Sequence, residues 1–215
     1  MLKPIVIGLC GFKGSGKDTA ADIIIENHIA ATKTVLANKL KDFCVEVFGL
    51  TREQLDDPII KNQPLDQPIL LDRRHIDAIC KLSGYETPEK LYKLEFLLDT
   101  PRKVAQIVGT EVMRSLDPDI HCKFVQIRND MMNLITDIRF NNELTFFQND
   151  PNIRFYSIYI DRASANNSGD EHGSEREIPQ LKWKCDYVLY NNTSLGQLKE
   201  TVILTKEDIY FKANL

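Results

Sequence analysis

Gly11-Phe12-Lys13-Gly14-Ser15-Gly16-Lys17-Asp18-Thr19 lies directly behind the apolar run PIVIGLC (residues 4–10). It precedes a stretch, Lys17 to about Ile29, in which Ala20, Ile23, Ile24 and Ala30 recur near helical spacing. A short continuous apolar run ended by glycine reads as a strand buried on both faces, so the glycine turn joins a strand to a helix. Glycines at 11, 14 and 16 let the backbone wrap so that successive N–H groups face phosphate oxygens, and the helix behind them adds its positive end. Lys17 supplies a mobile charge for the β and γ phosphates of a nucleoside triphosphate, with ATP the expected one. The pattern G-x-x-x-x-G-K-[ST] is met except at its last position, where Asp18 stands and Thr19 follows. The hydroxyl that holds magnesium is therefore missing at position 18, and either Asp18 or Thr19 takes that part, directly or through water.

Outward from this segment, a second strand is expected at TVLA (34–37) and a helix over Asn38 to Phe48. Strand, helix, strand, helix is the rhythm of a parallel α/β sheet. Residues 51–100 break it: they hold four of the nine prolines and little strand signal. Helical stretches are expected there near 73–83 and 88–97, giving a mostly helical insertion at 50–100 on the substrate side. A helix begins behind Thr100-Pro101, proline suiting the first helical turn, and another is expected from about Asp119 to Met132. The rhythm resumes with NLITD (133–137), a helix near 141–148, RFYSIYID (154–161), a polar lid-like loop at 163–180, DYVLY (186–190) and a last helix from about Leu195. The expected fold is a single α/β domain over 1–215: a three-layer αβα sandwich with a parallel five-stranded sheet, ligands binding at the carboxyl ends of its strands.

With 43% hydrophobic residues, 27% charged residues and a formal net charge of -4, the composition is that of a soluble globular chain. A mildly acidic balance argues against a nucleic-acid polymer as partner. The apolar run at the amino terminus is about seven residues, far short of the roughly 20 that span a bilayer, and no small-residue cleavage site follows it, so neither a membrane span nor a signal peptide is read and a cytoplasmic location is expected. Five scattered cysteines without a CxxC pair suit reduced thiols. His121-Cys122 has no partner at metal-ligand spacing, and no zinc site is assigned. Trp183 is read as a packing residue.

A second constellation, Thr136-Asp137-Ile138-Arg139-Phe140-Asn141-Asn142-Glu143, follows the strand MNLI. Asp137 at a core strand end beside a phosphate loop can orient a magnesium water or polarise an attacking oxygen; the plainer alternative is an N-capping aspartate with a surface arginine. Arg139 can grip an acceptor phosphate as a fork. Arg102, Arg114, Arg162 and Arg176 are further candidates, because phosphoryl transfer spreads negative charge that positioned cations offset. The loop 163–177 can carry Arg162 or Arg176 over the phosphates; His172 and Glu175 within it either contact substrate or shape the loop.

These motifs, in this order, resemble the deoxynucleoside monophosphate kinases of large bacteriophages, within the P-loop nucleoside-monophosphate kinase group. The resemblance rests on GFKGSGKDTAAD, LANKLKD (36–42), TPRKVAQIVGTEVMR (100–114), ITDIRFNNE (135–143), IDRAS (160–164), EHGSE (171–175) and DYVLYNNTSLGQL (186–198). It implies the P-loop NTPase fold and transfer of the γ-phosphate of ATP, with Mg2+, to a deoxynucleoside 5′-monophosphate. It places Lys13 and Lys17 on the donor phosphates, Arg139 and Arg102 toward the acceptor phosphate, and Lys39, Gln106, Thr110 and Glu111 with the acceptor substrate. Asn191 and Asn192 fall near the donor adenine, Lys17, Asp137, Arg139 and Arg162 carry catalysis, and Asp18, Thr19 and Asp137 are the metal candidates. The family also implies a homodimer. Rival readings are a P-loop kinase of another small phosphorylated acceptor, such as a dephospho-coenzyme or a phospho-alcohol, and a nucleotide-switched ATP-binding protein.

Overall fold

The computed structural model describes residues 3–28, 30–165 and 177–214. The chain divides into two compact units, Met1–Leu36 with Val125–Leu215, and Ala37–Phe124.

The first unit is built on one parallel sheet of β1 (Ile5–Cys10), β2 (Ala31–Thr34), β5 (Met132–Ile138), β6 (Arg154–Asp161) and β7 (Tyr187–Tyr190), in the order β2-β5-β1-β6-β7. The short β3 (Ile69–Leu70) and β4 (Leu97–Leu98) lie in the other unit. Crossovers between parallel strands are right-handed, and the steps β1 to β2 and β5 to β6 run in opposite directions, so their helices fall on opposite faces. Helix Lys17–Glu26 shares one face with Leu195–Ala213, and helix Asn141–Gln148 lies with Ile178–Leu181. This is the three-layer α/β sandwich.

Alternate residues of the central strands feed the two layers. Ile7, Leu9, Leu134, Ile158 and Ile160 join Ile23, Ile24, Leu198, Val202 and Ile209 in one core. On the opposite face β1 presents Gly8, where an added Cβ would lie 2.4 Å from Ile138 Cδ1 and 2.7 Å from Phe155 Cζ. Phe155 is itself stacked on Phe147, with ring centroids 5.7 Å apart. Glycine at this position lets the aromatic layer sit down on the central strand.

The second strand corrects an expectation. It covers Ala31–Thr34 rather than 34–37, because it is the sheet edge and needs no apolar run; Lys33 on it is exposed. The apolar residues that suggested a strand have left the sheet, and Leu36 is buried beyond its end. The helix expected from 119 to 132 is also corrected: only Ile120–Lys123 is helical. Asn133 side-chain bonds to Arg128 N (2.9 Å), Arg128 O (2.9 Å) and Met131 O (2.9 Å) hold the following chain as a loop, a side chain competing with helical backbone bonding. Trp183, read as a packing residue, is 85% exposed.

The second unit is helical, and the expected insertion at 50–100 lies inside it. Helices Asn38–Phe48 and Arg73–Ser83 occupy the expected residues, the latter capped by Asp72 and ended by Gly84 at φ 77°. The helix expected at 88–97 is instead a 3-10 turn, Glu89–Lys93, followed by β4, whose Leu97 pairs antiparallel with Leu70. Helix Pro101–Ile107 runs on through a π-helical stretch, Val108–Met113, into Arg114–Leu116. Phe43, Leu55, Ile76, Ile79, Leu98, Val104, Val108 and Val112 are among its buried core residues.

Candidate active site

The helix behind β1 leads toward β2, while the chain behind β6 leads the other way to β7. The crevice beside the carboxyl ends of β1 and β6 is therefore the switch point of the sheet, where open α/β sheets bind ligands. The loop Gly11–Gly16 fills this position. Its three glycines carry φ values of 137°, 79° and 106° at Gly11, Gly14 and Gly16, backbone that other residues adopt only under strain. Space also requires glycine at Gly11, where backbone is in the way, and at Gly16 a side-chain amide would have to shift. A Cβ at Gly11 would meet Ile160 O at 2.5 Å, and one at Gly16 would meet Asn191 Nδ2 at 2.5 Å.

Lys17 opens the helix and is only 8% exposed; its Nζ donates to Gly11 O and Phe12 O, each at 2.7 Å. The ammonium is thus held within the curve of the loop, where a phosphate would meet it. Lys13 and Gly14 are exposed on the loop, whereas Ser15 Oγ is buried without a hydrogen-bond partner. Cys10, immediately before the loop, has its thiol raised well above the ordinary value by a hydrogen bond with Cys185 and by burial, so it stays protonated and acts as a strand-end spacer rather than a nucleophile.

Strand ends on both sides clasp this loop. Arg162, just past β6, donates from Nη1 to Gly14 O at 3.2 Å. Asn191, just past β7, donates from Nδ2 to Ser15 O at 2.8 Å, and its own N–H donates to Asp161 O at 2.7 Å. Asn192 Oδ1 accepts from Ala163 N at 2.7 Å. Arg162 and Asn191 are thereby brought onto the glycine loop, and Asn192 ties the two strand ends to each other. Asp161, largely buried, pairs with Lys182 at 2.7 Å.

Asp137 and Arg139 stand at the end of β5. Asp137 Oδ1 accepts from Leu36 N at 2.7 Å, tying the strand end to the chain leaving β2. Arg139 is half-buried, and its backbone is fixed by a buried carboxylate: Glu143 Oε2 accepts from Arg139 N at 2.8 Å and from Phe140 N at 3.1 Å. Glu177 Oε2 accepts from Asn141 N at 2.9 Å and Asn141 Nδ2 at 2.8 Å. Three successive N–H groups at the start of helix Asn141–Gln148 thus face carboxylates, as its positive end favours. The capping role of Glu143 is missed in the sequence, where its spacing after Phe140, acid at the third helical position, is the available signal.

The metal candidates fit oxygen chemistry. Asp18 is exposed at the first turn of its helix, with Lys33 Nζ 3.7 Å from Oδ1 and 2.9 Å from Asp22 Oδ1. Thr19 beside it is exposed. Among the described residues no group of three or more His, Cys, Asp or Glu side chains could hold a metal ion by itself. Magnesium takes one or two protein oxygens and completes its shell with nucleotide phosphates and water. Lys33 was missed in the sequence because it lay outside the strand expected there.

Residues read as acceptor contacts lie in the helical unit. Arg102 donates from Nε to Asn62 Oδ1 at 2.6 Å, and Lys39 Nζ sits 5.3 Å from the centre of the Phe43 ring. Arg102, Gln106 and Thr110 follow at intervals of four along one helix, and Thr110 and Glu111 fall in its π-helical stretch. Arg114 donates to Pro118 O at 3.1 Å. His172, Glu175 and Arg176 lie outside the described residues, as does most of the loop expected to act as a lid. Among the described residues no helix is long and apolar enough to cross a membrane.

No protein-family model matches the sequence. Among solved structures, a dephospho-CoA kinase from Campylobacter jejuni is similar over 95% of this chain and 96% of its own, with a TM-score of 0.44 and 10% identity. A Thermus thermophilus protein, TT1252, is similar over 96% and 98% of the two chains, with a TM-score of 0.37 and 14% identity. A curated protein of Acanthamoeba polyphaga mimivirus, named "Putative deoxynucleotide monophosphate kinase", is 30% identical over an alignment that covers 93% of this chain and 94% of that one. With likeness at that level along nearly the full length of both proteins, this chain belongs to the deoxynucleotide monophosphate kinase family.

Proposed function

We propose that this chain transfers the γ-phosphate of ATP to a deoxynucleoside 5′-monophosphate, giving the diphosphate and ADP. The observation that carries the donor half is the loop Gly11–Gly16, with three left-handed glycines and Lys17 donating into its curve. The family relationship carries the acceptor half. Lys13 and Lys17 take the donor phosphates, and Arg162 adds charge beside Gly14. Asn191 and Asn192 flank the adenine. Arg139 and Arg102 take the acceptor phosphate, with Lys39, Gln106, Thr110 and Glu111 on the rest of the acceptor, and His172 and Glu175 contacting substrate or shaping the loop that carries them.

The chemistry needs no covalent intermediate. Positioned cations offset the charge that spreads over the moving phosphoryl group, an effect worth about 10³–10⁵ in rate for a well-placed arginine. Magnesium, bound with ATP, neutralises phosphate charge; Asp18 or Thr19, together with Asp137, would hold it or its waters. Exclusion of water protects the γ-phosphate from hydrolysis. The cytoplasm is the compartment we assign, and two copies are expected to associate.

The test is ADP release, followed by a coupled assay, with Mg·ATP against a panel of deoxynucleoside monophosphates, ribonucleoside monophosphates, dephospho-coenzyme A and a blank without acceptor. Strong stimulation by one or more deoxynucleotides is expected. Slow hydrolysis indifferent to every acceptor would instead favour a nucleotide-switched protein.

A further inference from the structure

π-Helical turns make up well under about 1% of residues and cluster at functional sites. Here one falls on Val108–Met113 and contains the Gly109-Thr110-Glu111 segment assigned above to the acceptor. Something must hold the wider turn against reversion to ordinary α-helical bonding. The Gly109 carbonyl is the point of attachment: it accepts the π-type bond from Arg114 N and also lies 3.2 Å from His121 Nε2. Glycine at 109 leaves room for the Leu40 side chain beside the turn. A Cβ there would lie 2.8 Å from Leu40 Cδ2 and 3.7 Å from His121 Nε2.

His121 is placed firmly for this contact. It sits in the short helix Ile120–Lys123, is 6% exposed, and follows Asp117, whose carboxylate accepts from Tyr85 Oη at 2.6 Å and Asp119 N at 2.9 Å and also pairs with Lys123. A carbonyl can only accept, so Nε2 carries the proton and donates, and Nδ1 is bare; it is buried and has no hydrogen-bond partner. A buried imidazole with an unmet nitrogen costs stability, and its position is explained by what the other nitrogen holds.

We infer that His121 is a positioning residue for the acceptor: by donating to Gly109 O it locks the π-turn and so sets the direction in which Thr110 and Glu111 are presented. The inference rests on the acceptor role proposed above for that segment. Release of the turn would rotate Thr110 and Glu111 relative to Gln106 and Arg102 without touching the phosphate loop.

The experiment measures kcat and both KM values with the best deoxynucleotide acceptor for the wild type, His121→Phe and His121→Gln. Phenylalanine keeps a ring without a donor; glutamine can return an N–H near the Nε2 position. Expected for His121→Phe is a rise of about tenfold in acceptor KM, the worth of one well-placed hydrogen bond, with the KM for ATP within about twofold. His121→Gln should restore most of the loss. A residue that merely supports the fold would lower the active fraction, so a fall in kcat with acceptor KM unchanged overturns the inference, as does an equal rise in both KM values. Should the phenylalanine variant fail to fold, His121→Asn, too short to reach Gly109 O, must show the same KM rise or the inference falls. A wild type stimulated by no deoxynucleotide would remove the acceptor assignment itself, and this inference with it; turnover with an unmoved acceptor KM removes this inference alone.

Discussion

Acidification should destabilise this protein through His121 before its carboxylates titrate. Burial, then the nearby Arg114 charge, pushes the imidazole pKa down to about 4, with the bond to Gly109 O acting the other way. The unfolded chain binds the proton near pH 6.5, the folded protein only near 4. A depressed pKa means that the residue's share of stability is fully present above the unfolded value and is lost as pH falls toward the folded one. Between about pH 7.5 and pH 5 the difference between the two binding curves amounts to about 2 kcal/mol, a sizeable part of the ~5–15 kcal/mol that holds a domain. The assay is urea unfolding at several pH values for the wild type and His121→Gln, which has no proton to gain. His28 is also shifted down, by burial and then Lys206, but it is present in both proteins and cancels in the difference. Asp72, held down to about 2 chiefly by Arg74, titrates below this window. Parallel loss of stability in the two proteins between pH 7.5 and 5 would refute the account of a neutral, buried donor at position 121.

Two substitutions in the phosphate loop should separate chemistry from backbone geometry. Lys17→Ala is expected to lower turnover by at least ~10³ with the far-UV circular dichroism unchanged, because the lysine donates to Gly11 O and Phe12 O of the loop and not to the sheet ladder; a variant that keeps wild-type turnover sinks the site assignment. Gly16→Ala and Gly14→Ala should differ, although both positions have positive φ: the first also drives a Cβ to 2.5 Å from Asn191 Nδ2, while nothing lies within 4 Å of the second. Thermal unfolding should show a loss of about 1–3 kcal/mol at Gly16 and about 1 kcal/mol at Gly14, and equal losses would mean that the Asn191 clasp is not what fixes the loop.

Much of the unit built on the five-stranded sheet was legible because its signals are local. The strand Ile5–Cys10, the glycine turn, and helix Asn141–Gln148 with its preceding Asp137 and Arg139 each follow from a few neighbouring residues. The second strand was misplaced because an edge strand such as Ala-Thr-Lys-Thr is specified by its partner, here Met132 to Ile135, and not by its own apolarity. The same blindness hid the Lys33 to Asp18 pair. The loop before β5 was mistaken for helix because its conformation is held by Asn133, a residue beyond it in the strand.

The π-turn was not read from the sequence, yet a trace of it is there. Val104, Val108 and Val112 are all fully buried, at successive intervals of four. In an α-helix of 3.6 residues per turn each such step drifts by about 40°, so three positions would wander off a single stripe, and a buried face is normally kept by alternating steps of three and four. A wider i→i+5 turn brings residues four apart closer to register. The core of the helical unit therefore favours the wider turn from one side while His121 fixes it from the other, and the half-buried Thr110 and Glu111 are the residues whose direction the turn decides.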